Sequence, residues 1–300
     1  MPSVPSNSLF PSSVPRNAVP PDGPGLLRDL PDVRDWTLDA PPVREAFAKL
    51  RRRRGAKSTP PARVDLREFL PPPGSSAAPQ MAVAAAVVTL ARYFERRTLG
   101  RAVEPSIGFL YETSRRLAGL SGEGASLRTT LQALARFGCP PERFCPTDGI
   151  LRGNAPDPFA YGFQREYLEL RFARLDSPAA AGADILRAVK GCVAAGFAVV
   201  CGAALAGGID AKTGEIPYPS KLDAPAGAAP LVIVGYDDAH RIRSTKGALV
   251  VRTTFGPAWG DDGTGLLPYR YVEEHLACDF WTMWKPQWLA SGELEQVVGS

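Results

Sequence analysis

The chain has 300 residues, 45% of them hydrophobic and 22% charged, with a formal net charge of +4. This is globular composition, long enough for two core-bearing lobes or one large domain. The only dense basic run, Lys49 followed by Arg51, Arg52, Arg53 and Arg54, is short, so a solvated linker is expected rather than a nucleic-acid face. Five cysteines without a CxxC pair, accompanied by two histidines, exclude a Cys/His zinc site of standard spacing.

Residues 1–24 are rich in Pro and Ser and poor in apolar side chains, which predicts a disordered tail. They contain no charged n-region followed by an apolar h-region, and no apolar run in the chain reaches the roughly 18 residues of a membrane span. A cytoplasmic, reducing setting is the expectation. Val43, Phe47 and Leu50 fall on one face of a short helix reaching Arg54. "RVDLREFL" alternates as a strand does. The stretch "GSSAAPQMAVAAAVVTLARYFERR" (74–97) then opens a helix to about Thr98, with Pro79 suited to its first turn. Its Ala/Val half is apolar all round, so burial on most sides is expected.

"PSIGFLYETSRRLA" and "SLRTTLQALARFG" follow as helices, the second stopped by Gly138. Beyond about residue 165 "REYLELRFARLD" reads as a strand and "ADILRAVKGCVAAG" as a helix. "FAVVCGAAL", "APLVIVGYDDA", "KGALVVRTTFG" and "GTGLLPYRYV" read as short β-rich runs between turns. A helical half before a β half predicts an α+β fold.

Several of these blocks together resemble the papain-like cysteine peptidases, especially the bacterial type. "APLVIVGYDDA", "GALVVRTTFGPAWGDDGTGLLPYRYV" and "CDFWTM" look like that family's C-terminal half. "DLPDVRDWTL", "RVDLRE", "EPSIGFLYETSRR", "GASLRTTLQALARFGCPPERFCPTD" and "TGEIPYPS" are similar to its earlier parts, in family order over about residues 27–285. The resemblance implies a helical lobe packed on a β-barrel lobe with a cleft between them. The division expected is a tail over 1–24, a leading segment and basic linker over 25–60, a helical lobe over 61–165 and a β-barrel lobe over 166–300.

The family's chemistry needs a thiolate at a helix N-terminus, a His that forms the ion pair, an Asn that orients the His, and a Gln that donates to the oxyanion. Carried over, these roles fall on Pro79, Ala229, Thr253 and Pro73, and none of the four side chains can perform them. The Trp that shields the Asn is Phe255 here. Ser75, Ser76, Gln80, Phe255 and Trp259 are expected to line the cleft. The resemblance with erased chemistry points to a pseudo-peptidase that binds a protein or peptide partner or serves as a scaffold, docked through its tail. Two alternatives stay open: an enzyme of another class with a small apolar substrate in the cleft, and a residual peptidase. A relocated pair would need Cys145 or Cys201 near His240, in the turn after "GYDDA", or His275; both histidines are expected at the barrel periphery. Asp261 and Asp262 with Gly263 read as a turn, and no metal, cofactor or phosphate-cradle motif is found.

Overall fold

The computed structural model describes residues 25–53, 60–74, 78–100, 103–177, 179–206, 211–220, 223 and 225–295. The expected tail over 1–24, and Ser75 and Ser76, lie outside them. A two-residue strand, β1 (Leu26–Leu27), is followed by α1 (Pro41–Arg53). Two prolines open α1, where a missing N–H costs nothing. Its Val43 is fully buried, and Phe47 stacks on Phe197 with centroids 4.7 Å apart. β2 (Arg63–Asp65) comes next; only these first three residues of the run expected as a strand are strand, and Arg67–Phe69 turn as a 3-10 helix.

A short 3-10 turn over Pro79–Met81 leads into α2 (Ala82–Leu99). Gly100, at φ +67°, ends the helix in the left-handed conformation, its N–H donating to the Arg96 carbonyl. Val83, Ala84, Val87, Leu90, Tyr93 and Phe94 are almost wholly buried, as the apolar run predicts. Phe94 stacks on Trp288 at 5.2 Å, tying the helix to the end of the chain. α3 (Ile107–Ala118) starts on Ser106, whose Oγ accepts from Phe109 N at 3.0 Å. β3 (Ala125–Ser126) runs directly into α4 (Leu127–Phe137), capped by Ser126 and stopped at Gly138 (φ +70°); α5 (Thr147–Leu151) packs on α3.

The remainder builds one antiparallel sheet. Its strands are β4 (Arg171–Arg174), β5 (Val199–Ala206), β6 (Pro225–Ile242), β7 (Thr245–Arg252), β8 (Thr264–Pro268) and β9 (Ala277–Trp284). Their order is β4-β9-β5-β6-β7-β8, with β2 added on β6. β9 is buried at every position, as fits a strand inside the sheet, and irregularities after Ile233 and Asp237 shift the register of β6 against β7. α6 (Gly182–Ala194) and α7 (Arg270–Glu273) pack on the sheet, and α8 (Pro286–Ala290) packs on α2. The result is the α+β arrangement expected. Among the described residues no helix is long and apolar enough to cross a membrane.

Three further local expectations are corrected. Of "REYLELRFARLD" only Arg171–Arg174 is strand; Pro158–Tyr167 wind as a 3-10 helix, nucleated by Asp157, whose side chain accepts from Phe159 N at 2.8 Å. "GTGLLPYRYV" is strand only to Pro268, which lacks the N–H to continue a ladder, and Arg270–Glu273 form α7. His240 lies within β6, not in a turn; the turn comes at Arg243, with φ +52°.

Candidate functional site

Neither the 3-10 turn at Pro79–Met81, entered from Ala78, nor α2, entered from Met81, has a side-chain cap. Over this helix start lies the chain's own leading segment. Gly25, at φ +155°, approaches so closely that a Cβ there would sit 1.7 Å from the Pro79 carbonyl oxygen and 3.3 Å from Gln80 Cα. Only glycine fits this position. Leu26 is 2% exposed, and a Cβ on Gly202 of β5 would lie 2.7 Å from its Cδ2. The next residue of β5, Ala203, pairs with Ala229 of β6. β1 also pairs in parallel with β3, Leu26 with Ala125 and Leu27 with Ser126. Gly25 to Leu27 therefore runs between the helix start, where Pro79 stands, and the β5–β6 pair, where Ala229 stands.

A buried charge cluster holds the segment down. Asp29 N donates to Asp279 Oδ2 at 3.0 Å, while the Asp29 carboxylate accepts from Arg128 N at 3.1 Å and from Trp281 Nε1 at 2.8 Å. Arg128 also donates to both oxygens of Asp35, and Arg174 to Asp176 and Asp279. Burial, then the neighbouring Asp279, pushes the Asp29 carboxyl up to about 6. Burial likewise raises Asp176 and Asp279. It opposes the charge on Arg174, but Asp176 and Asp279 outweigh it and raise that pKa. The sequence shows this cluster only as unremarkable charges on segments far apart in the chain.

Thr253 follows β7 and is 6% exposed. Its Oγ1 donates to the Gly263 carbonyl at 3.3 Å and accepts from Phe255 N at 3.3 Å, so the hydroxyl serves the loop. Trp259 is 6% exposed, edge-on to Phe255 at 5.8 Å, and packs on Gly265, where a Cβ would meet its ring at 2.4 Å. Behind α2 lies a cavity of about 70 Å³. Pro73, Thr253 and Thr254 line it, with Arg92, Glu104 and Arg252 supplying the charge. The structure thus brings Pro73 and Thr253 to one cavity and sets Pro79 and Ala229 on either side of Gly25 to Leu27. Gln80 is half-buried beneath Gly25. From the Phe255 loop it is Thr254 and Gly256, not Phe255 or Trp259, that reach the cavity.

All five cysteines are buried and unpaired. Cys139 Sγ donates to the Ser106 carbonyl at 3.2 Å, and Cys278 Sγ lies 3.6 Å from Asp279 Oδ2; among the described residues no hydrogen bond joins any sulfur to His240 or His275. Burial pushes Cys192 up to about 12 and also raises Cys139, Cys145, Cys201 and Cys278. His240 lies 3.5 Å from Glu215 instead. Among the described residues no cluster of His, Cys, Asp and Glu could hold a metal ion.

This arrangement has solved counterparts. Xylellain, a cysteine protease from Xylella fastidiosa, superimposes with a TM-score of 0.68 and 25% identity, covering 88% of this chain and 96% of its own. The fold is papain-like. Digestive procathepsin L 3 of Tenebrio molitor larval midgut matches at TM-score 0.54 and 14% identity, over 77% of this chain and 71% of that one. The proform of the ragweed pollen cysteine protease Amb a 11 matches at 0.52 and 17%, over 77% and 68%. These two speak for the fold alone. In sequence, an uncharacterised peptidase C1-like protein of Acanthamoeba polyphaga mimivirus is 26% identical over 185 residues, 59% of this chain. The chain spans 58% of that relative's length. No protein-family model matches. These relatives support the papain-like cysteine peptidase family.

Proposed function

We propose that this chain is a papain-fold pseudo-peptidase that binds a protein or peptide, or holds one in an assembly, without cleaving it. What carries the reading is the chemistry of the positions matched to the family's machinery. Pro79 has no nucleophile, Ala229 no base, Thr253 no free amide to orient one, and Pro73 no donor for an oxyanion. The five thiols are buried and, among the described residues, joined to no imidazole, which argues against a relocated pair. Catalytic partners act as a unit, so no single remaining group would replace them. The groove at the helix start is already filled by Gly25 to Leu27, which supports holding chain rather than cutting it. The Pro- and Ser-rich residues 1–24 would supply the docking segment.

The test pairs binding with cleavage. A peptide array is probed with the full chain, and bound peptides are checked by mass spectrometry. Retention of intact peptides is expected, together with no labelling by an epoxide or vinyl sulfone warhead directed at catalytic thiols. Cleaved peptides or a labelled cysteine would restore a peptidase. An array with no bound peptide would remove the binding role.

An apolar-substrate enzyme finds less support. The cavity beside Thr253 is small and lined by Arg92, Glu104 and Arg252, which suits a charged group better than an apolar one.

A further inference from the structure

Arg252 closes β7 at 7% exposure; among the described residues its guanidinium makes no hydrogen bond and no salt bridge, and its Nε is buried without a partner. Its stem is held in place: a Cβ on Gly263 would lie 3.6 Å from Arg252 Cδ and 3.5 Å from Pro73 Cβ. Arg92, from α2, lines the same cavity, and its Nε is likewise buried and unpartnered. A buried guanidinium nitrogen normally has an acceptor, and native chains seldom leave one without; here that holds for the Nε of Arg252 and of the half-buried Arg92. Two of them lining one cavity is a different matter from two surface arginines.

We propose that this cavity is a binding site for a small oxyanion, a phosphate or carboxylate group, with Arg252 as principal donor and Arg92 contributing from α2. The planar fork of each guanidinium suits either group. A cavity of about 70 Å³ admits such a group or a few waters, and excludes a folded partner. The charged residues around it leave room for one negative charge. Glu104 is the acidic residue of the lining and stands against Arg92 and Arg252. Asp261 and Asp262 attract Arg252 from the outer side, in an open groove that also includes Asp65, Arg67 and Glu68. There Arg67 is engaged by Asp65 and Asp261, both at 2.7 Å. Burial lowers the pKa of Arg92 and of Arg252, as befits cations without full compensation. The Thr254 hydroxyl, also on the lining, has no hydrogen bond among the described residues and could add a donor. This inference stands independently of whether the groove under Gly25 holds a peptide.

The experiment is thermal unfolding of the full chain in millimolar inorganic phosphate, acetate or chloride at matched ionic strength, followed by calorimetric titration. Phosphate or acetate is expected to raise Tm by about 2–5 °C over chloride. The anion that does so names the source, free phosphate or a carboxylate. Arg252→Met should abolish the shift and weaken binding at least about tenfold, while Arg92→Met should weaken it less. Glu104→Gln should tighten it. Both Met variants keep the side-chain volume and remove an uncompensated charge, so in chloride each should melt at or above the wild-type temperature. Equal melting in all three salts overturns the site. So does an anion-dependent shift that survives Arg252→Met.

Discussion

Glu95, on α2, is a half-buried acid that the fold tolerates at a cost. Burial raises its pKa to about 7, against the opposing pull of Lys285, and Tyr167 OH reaches it only at 3.4 Å. A raised carboxyl pKa favours the protonated form in the fold. Its contribution is therefore full below about 4.5 and is lost as pH rises through about 7. Glu95→Gln keeps an acceptor for Tyr167 and removes the titration. It should add about 1–3 kcal/mol at pH 8 and almost nothing at pH 4, measured by denaturant unfolding at both. The roles assigned to Pro79 and Ala229 can be checked at the same scale. A thiol introduced by Pro79→Cys should react with iodoacetamide with a pKa near the ordinary 8.5 or modestly lower. Adding Ala229→His should leave that pKa unchanged, because Gly25 to Leu27 stands between the two positions. A pKa of about 7 or below in the double variant would mean that the segment does not separate them.

At the scale of elements, the decisive piece is β1. Two residues cannot form a stable strand by themselves, so the segment depends on its anchors: Leu26 against Gly202, Gly25 against Pro79, and Asp29 in the Arg128–Trp281 cluster. Leu26→Ala should cost the docking about 2–4 kcal/mol. Its signature is faster limited proteolysis within residues 25–37 while the far-UV spectrum is unchanged. Gly202→Val should do the same by filling the position of Leu26 Cδ2. The elements themselves were largely readable. The Ala/Val run of α2 and the stop at Gly138 follow from local rules. Residues 158–167 were not readable, because side-chain alternation in "REYLEL" imitates a strand while the cap at Asp157 winds the chain the other way.

For the whole molecule, several buried or half-buried acids shift in one direction. Asp29, Asp176, Asp279 and Glu95 are all raised, chiefly by burial. Each adds stability as pH falls through its folded pKa. Tm should thus rise between pH 8 and about pH 5, then fall in stronger acid as carboxylates lowered by arginine or tyrosine partners, Asp65 and Glu274, are protonated. A scan of Tm against pH checks it; a monotonic fall from pH 8 downward would contradict the burial assigned to these groups. The same core hides the sulfurs. Ellman's reagent should find no fast-reacting thiol in the native chain and five after denaturation.

Composition and spacing by themselves determined the α+β class and the buried central helix, while the resemblance supplied the papain-like order and the expectation that Pro79, Ala229, Thr253 and Pro73 stand at the family's catalytic positions. Each is a property of a short window or of a side chain's functional group. Tertiary structure alone decided that Gly25 to Leu27 covers the helix start, that four acids and two arginines from distant segments converge behind it, and that Arg92 and Arg252 line one cavity with their Nε atoms unpartnered among the described residues. Those facts depend on which residues, tens to hundreds of positions apart, lose water together. Burial and pairing across such separations are settled by packing, and no local pattern encodes them.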